Sequence, residues 1–190
     1  IPLAFLRHAT SKIISKADLE SILTLGFRGE ALASISAVSK VDVITKRLED
    51  EYGIHYTIEG SEEKYFEKSG CPDGTTIIIR DLFYNVPARL KFLKKAVSEG
   101  NAIASVVNKI ALSHPEISFK FIRDNKQELI TPGDGKFYSA IYSVFGKDFA
   151  KSLIPVKFDY NNIKVSGYTV KPLLSRSNRA FQNFFINNRY

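Results

Sequence analysis

Thr24-Leu25-Gly26-Phe27-Arg28-Gly29-Glu30-Ala31-Leu32-Ala33-Ser34-Ile35 sets two glycines around an arginine where an apolar pattern of helical spacing begins. Leu32, Ile35 and Val38 recur three residues apart, so the spacing predicts a helix from about Gly29 to Ser39 with one side on a core. Glycine lets backbone approach a ligand closely. The first turn of a helix carries N–H groups without an intrahelical partner, and the two features together can cradle an anion. A glycine-containing turn feeding an ordinary helix is the plainer reading of the same residues. The chain contains neither Gly-x-x-x-x-Gly-Lys-Ser/Thr nor Gly-x-Gly-x-x-Gly, so no P-loop or dinucleotide fingerprint competes for the phosphate role.

Two further blocks flank this one. Arg7-His8-Ala9-Thr10-Ser11-Lys12-Ile13 lies upstream, and Gly74-Thr75-Thr76 followed by Asp81-Leu82-Phe83-Tyr84-Asn85-Val86-Pro87-Ala88-Arg89-Leu90-Lys91-Phe92 lies downstream. In this order the three blocks resemble the MutL family of DNA mismatch-repair proteins, whose N-terminal region is an ATPase of the GHKL superfamily. The resemblance implies an α+β fold. A GHKL-type mixed sheet layered with helices, the C-terminal part of the ATPase domain, would occupy residues 1–132, and the start of a ribosomal-protein-like α/β domain residues 133–190.

It also implies site residues. Thr10, Ser11 and Lys12 match a lid that orders over ATP, and two hydroxyls with a mobile cation suit phosphate oxygens. Gly26, Phe27, Arg28, Gly29, Glu30, Ala31 and Leu32 match the motif whose amides embrace the triphosphate. Arg28 has two available roles, touching a phosphate or bracing the loop through carboxylates. Glu30 reads first as a structural carboxylate at the positive end of the helix. Thr75 and Thr76 match the motif that networks around adenine, and the β-branched run Ile77-Ile78-Ile79 predicts a buried strand holding them.

The superfamily's catalytic glutamate, Mg2+-binding asparagine and adenine-reading aspartate have no counterpart in this chain, so the resemblance implies a fragment with negligible hydrolysis on its own. ATP with Mg2+ is the implied cofactor of the parent. Its implied partners are DNA, a MutS-type mismatch-recognition protein and a second copy of itself. The alternative from another class is a DNA- or protein-interaction module without the chemistry.

Composition narrows the setting. The chain has 190 residues, 44% of them hydrophobic, and one cysteine, Cys71, which excludes an internal disulfide. No apolar run is long enough for a membrane span, and a cytoplasmic or, in a eukaryote, nuclear setting follows. Charge is uneven: residues 1–95 carry 14 Lys or Arg against 13 Asp or Glu, and residues 96–190 carry 13 against 7. Lys164, Lys171, Arg176, Arg179 and Arg189, interleaved with short polar residues, are the candidate DNA-backbone contacts. An ordinary solvated lysine-rich surface is the alternative.

The remaining pattern predicts a helix over Lys16–Leu23 with Ser15 and Asp18 as a variant capping box. Strands are expected at Val41–Lys46, Gly53–Glu59, Lys64–Lys68 and Gly74–Phe83, with a short helix at Arg89–Lys95. An amphipathic helix is expected at Asn101–Ser113, and a strand carrying Phe119 and Phe121 returning to the sheet. Thr131-Pro132-Gly133-Asp134-Gly135 marks the boundary. Beyond it the pattern gives a helix at Phe137–Phe145 and strands at Ser152–Phe158, Asn162–Val170 and Gln182–Asn188.

Overall fold

The computed structural model describes residues 1–190 except Lys16, Ala17, Leu19, Glu20, Ser21, Leu23, Asn162, Arg176 and Ala180. It forms two compact units, Ile1–Leu93 and Lys94–Tyr190. The helix expected at Lys16–Leu23 lies largely outside the described residues. Its capping signal is visible nonetheless: the Asp18 carboxylate accepts the backbone N–H groups of Ile14 and Ser15, both at 2.8 Å. Those two bonds hold the Asp18 carboxyl below its usual range.

The first unit is an antiparallel sheet in the order β3-β2-β1-β4, built from β1 (Lys40–Lys46), β2 (Gly53–Glu59), β3 (Glu62–Ser69) and β4 (Gly74–Arg80). Alternation along β1 and β2 turns Val41, Val43, Tyr56 and Ile58 to one face, where they pack with Phe5 from the 3-10 turn Pro2–Phe5. Helix α1 (Ala31–Ser36) lays Leu32 and Ile35 against the same cluster. The run Ile77-Ile78-Ile79 does not form a buried strand, as β-branching alone suggested. Among the described residues β4 is an edge pairing only with β1, and Ile77 and Ile79 stay 44% and 46% exposed.

α1 is shorter than the expected Gly29–Ser39, and its end has a physical cause. Four successive carbonyls turn outward to other partners. Ser36 O accepts from Ser61 N–H at 3.1 Å, Val38 O from Phe83 N–H at 2.6 Å and Ser39 O from Gly60 N–H at 3.3 Å. Ala37 O accepts from the Asn85 side-chain amide at 2.9 Å. A six-residue helix is too short to be stable alone, so the β2–β3 turn and the Asp81–Asn85 segment hold it in place. The latter segment leaves the strand path at once, with Asp81 and Phe83 at positive φ. The short helix expected at Arg89–Lys95 is α2 (Pro87–Leu90), which Pro87 opens at a position that tolerates its missing N–H.

The opposite face of the sheet is polar. Asp42 accepts from Thr57 Oγ1 at 2.7 Å and His55 Nε2 at 3.1 Å, and pairs with Arg80. Partial burial works against the Asp42 charge, but the hydrogen bonds from Thr57, His55 and Arg80 outweigh it and hold the carboxyl below its usual range. A lowered folded-state value stabilises the fold above the unfolded aspartate pKa of about 3.9, and that contribution is lost as pH falls through the folded value. Asp42→Asn is therefore expected to cost about 1–3 kcal/mol at pH 7 and progressively less below about pH 4. Urea titrations of both proteins at pH 7 and pH 3 check this; an equal cost at both would show that the carboxylate charge is not what matters.

The second unit begins with α3 (Ala96–Ser113), longer than expected and ending at His114-Pro115 as expected. Leu112 packs against Ala140 and Ile141 of α4 (Phe137–Phe145). Ile103 and Val106, two apolar residues of this helix, remain 53% and 56% exposed. The strand carrying Phe121 does not return to the four-stranded sheet. It is β5 (Lys120–Arg123), paired among the described residues only with β6 (Lys126–Ile130) through a turn whose Asp124 and Asn125 both have positive φ, the geometry of a tight hairpin.

The turn at 131–135 lies inside this unit. The buried Thr131 hydroxyl accepts Phe119 N–H at 2.8 Å and donates to Ile117 O at 3.2 Å, while Ser118 Oγ donates to Thr131 O. These bonds fasten the start of the turn to the segment before β5. β7 (Leu153–Tyr160) and β8 (Ile163–Val170) pair as a second hairpin, preceded by the one-turn α5 (Lys147–Ala150). Gln182–Asn188 is not a strand; a tight turn at Asn187-Asn188 closes one bridge between Ile186 and Arg189.

Candidate nucleotide site and basic surface

The stretch 7–10 and the loop 26–30 meet. His8 N–H donates to Gly29 O at 3.0 Å, and His8 Nδ1 lies 3.3 Å from the Glu30 carboxylate. Gly29 sits at φ +65°, and a Cβ there would fall 2.6 Å from Ala9 C and 2.8 Å from Ala9 N. Only glycine fits, for steric and conformational reasons at once. Gly26 is different, with positive φ absent and open space around the position of a Cβ; its carbonyl accepts from Thr24 Oγ1 at 2.9 Å.

The contact forms an open cleft of about 400 Å³ lined by His8, Thr10, Ile13, Phe27, Arg28 and Glu30. Of the predicted nucleotide residues, Thr10, Phe27, Arg28 and Glu30 line it. Ser11 and Lys12 are exposed beside it, and Lys12 N–H donates to Thr10 Oγ1 at 3.1 Å. Ala31 and Leu32 can contribute only backbone, since Leu32 packs its side chain on the core. The first intrahelical bond runs from Ser34 N–H to Glu30 O, which leaves the amides of Ala31, Leu32 and Ala33 without a partner inside α1. The Arg28 guanidinium lies 5.4 Å from the Phe27 ring centroid, a position that leaves its N–H groups available. His8 and Ile13 are cleft residues that motif matching passed over, although both stand within the quoted upstream block.

Thr75 and Thr76 are placed elsewhere on the sheet and do not line the cleft. Thr75 shares a hydrogen bond of 2.8 Å with Thr45 Oγ1, which also donates to Gly74 O at 3.1 Å. Thr45 is thus a partner that sequence reading missed, and cross-strand register was the signal that could have found it. Successive strand residues face opposite ways, so Thr75 and Thr76 serve different faces. Among the described residues no group of three His, Cys, Asp or Glu could hold a metal ion.

The basic residues of the second unit occupy three local features. Lys164 is on β8 opposite Asp159, Lys171 precedes the 3-10 turn Pro172–Leu174, and Arg189 closes the Ile186 bridge. Arg179 O accepts from Gln182 N–H at 3.0 Å. Arg176 lies outside the described residues. Among the described residues, no ion pair engages Lys164, Lys171 or Arg179. Among the described residues, too, no helix is long and apolar enough to cross a membrane.

Comparison with known proteins gives the family and the fold. A family model described as "DNA mismatch repair protein, C-terminal domain" matches residues 141–190. The chain is 53% identical, over all 190 of its residues, to a DNA mismatch repair protein MutL of Agathobacter rectalis, covering 29% of that protein. It is 45% identical over 188 residues to the MutL of Caldanaerobacter subterraneus, covering 99% of this chain and 32% of that protein. The chain thus spans about a third of the length of such relatives. Among solved structures it resembles the Aquifex aeolicus MutL ATPase domain complexed with ADP, with a TM-score of 0.62 and 27% identity, covering 76% of this chain and 56% of that one. The fold also matches the N-terminal domain of a DNA repair protein, with a TM-score of 0.76 at 24% identity over 99% of this chain and 60% of that one. By sequence along its whole length and by the GHKL-type ATPase fold of its structural neighbours, the chain belongs to the MutL family of DNA mismatch repair proteins.

Proposed function

We propose that this chain supplies the phosphate-gripping part of an ATP-driven mismatch-repair switch. The carrying observation is the docking of Ala9 on Gly29, which brings Thr10 and Arg28 to one cleft beside the free amides of α1. Thr10, Ser11, Lys12 and the backbone of residues 26–32 would hold the triphosphate of ATP. Thr75 and Thr76 would act on the adenine side, with Thr45 bracing the former. Bound Mg2+ would neutralise phosphate charge. The described residues offer it no cluster of three His, Cys, Asp or Glu.

In this reading ATP closes the 7–12 segment over the loop and favours pairing of two copies on DNA, which couples a MutS-type partner to strand removal in a bacterial cytoplasm. The segment around 131–135 would mark where the ATPase layer gives way to the ribosomal-protein-like layer. Calorimetry separates the chain from the whole. The 190 residues alone are expected to show no saturable ATP binding below millimolar concentration, and the full-length protein is expected to show it. A full-length protein that binds no ATP would overturn the assignment.

A further inference from the structure

We propose that His8 and Glu30 form a positioning pair that fixes the hydroxyl-bearing segment over the phosphate loop and holds a carboxylate to one side of its mouth; this rests on the nucleotide reading above. One hydrogen bond and one side-chain contact join the two stretches: His8 N–H donates to Gly29 O at 3.0 Å, and His8 Nδ1 lies 3.3 Å from Glu30 Oε1. His8 adopts φ +63°, a conformation a non-glycine side chain takes only at a cost, and it turns the chain so that Ala9 lies on Gly29 and Thr10 reaches the cleft.

Stability does not account for the ion pair. Its side chains are 78% and 49% exposed, and pairs of that kind contribute little to folding. Its position does account for it. Glu30 lines the cleft, where an unpaired carboxylate would repel a polyanion, and the cleft's other charged residue is Arg28. The His8 ring holds the Glu30 carboxylate to one side of the cleft while the His8 backbone sets the distance between the two walls. Glu30 therefore acts through His8, and neither residue needs to touch the reacting atoms.

The test uses His8→Asn, since asparagine tolerates left-handed backbone but is too short to reach Glu30, together with Glu30→Gln and the double variant. In the full chain without ligand, hydrogen exchange at the residue-8 amide, relative to its intrinsic rate, is expected to speed up about threefold in each single variant. The double variant should be no faster than either, because one interaction is lost only once. Unchanged exchange, or effects that multiply, would overturn the pair. In the full-length protein, Mg-ATP affinity is expected to fall about threefold for His8→Asn with kcat unchanged. Equal affinity in variant and unmodified protein would overturn the positioning role and leave the nucleotide reading standing. Absence of ATP binding in the unmodified protein would sink that reading instead, and the ligand-free exchange data tell the two failures apart.

Discussion

Gly29→Ala in the full-length protein is expected to weaken ATP binding at least about tenfold while leaving the β1–β4 sheet folded. The left-handed backbone at φ +65° costs an L-residue roughly 1–2 kcal/mol, and tenfold in affinity corresponds to about 1.4 kcal/mol. The new methyl group also meets main-chain atoms of Ala9 rather than a flexible side chain, so the wall of the cleft itself has to move. α1 keeps its packing through Leu32 and Ile35, which is why the fold survives. Gly26→Ala is the matching control. Nothing lies within 4 Å of a Cβ at that position, and its affinity is expected to match the unmodified protein. Fluorescence titration with an ATP analogue checks both. Equal damage at the two glycines, or none at either, would mean that the close approach of Ala9 has no part in holding nucleotide.

The two glycines look alike in sequence, and only the structure tells them apart. What sequence made legible was local: the helical spacing after Gly29, the capping carboxylate of Asp18, the end of α3 at His114-Pro115, and α4, whose bounds were read without error. What it could not show was partnership across the chain. The Asp81–Asn85 block was recognisable as a motif, but its task of receiving the carbonyls at the end of α1 depends on residues about 45 positions away meeting in space. β-branching likewise predicted burial for Ile77 and Ile79, because propensity says that a residue suits a pleated surface and not which strand will cover it. The tight hairpins at Asp124-Asn125 and Asn187-Asn188 were missed for a related reason. Their residues reach positive φ without glycine, so the usual turn signal was absent. In the site, the quoted blocks contain Thr10, Arg28 and His8 alike, but the contact of His8 with Glu30, twenty-two positions on, exists only in the folded chain.

Retention of the protein on double-stranded DNA is expected to fall steeply as salt rises. If Lys164, Lys171, Arg176, Arg179 and Arg189 each neutralise one phosphate, the slope of log affinity against log salt is about −4.5, and raising salt from about 50 to 200 mM weakens binding roughly 500-fold. The number follows from released counterions and so does not depend on base sequence. Lys171→Ala combined with Arg179→Ala should make the slope shallower by about 2 units and weaken all sequences alike. These two are the informative choices, since neither enters an ion pair among the described residues and both flank exposed turns rather than the packed hairpin register. Arg189 is less so, because its backbone closes the Ile186 bridge and a change there can disturb the turn itself. Fluorescence anisotropy with two duplexes of unrelated sequence, at several salt concentrations, reads out slope and sequence preference together. A slope near zero would place binding on contacts other than phosphate. A normal slope that the double variant leaves untouched would move the contact surface away from this part of the second unit, and the excess positive charge of residues 96–190 would then be a solvated surface with no nucleic-acid role.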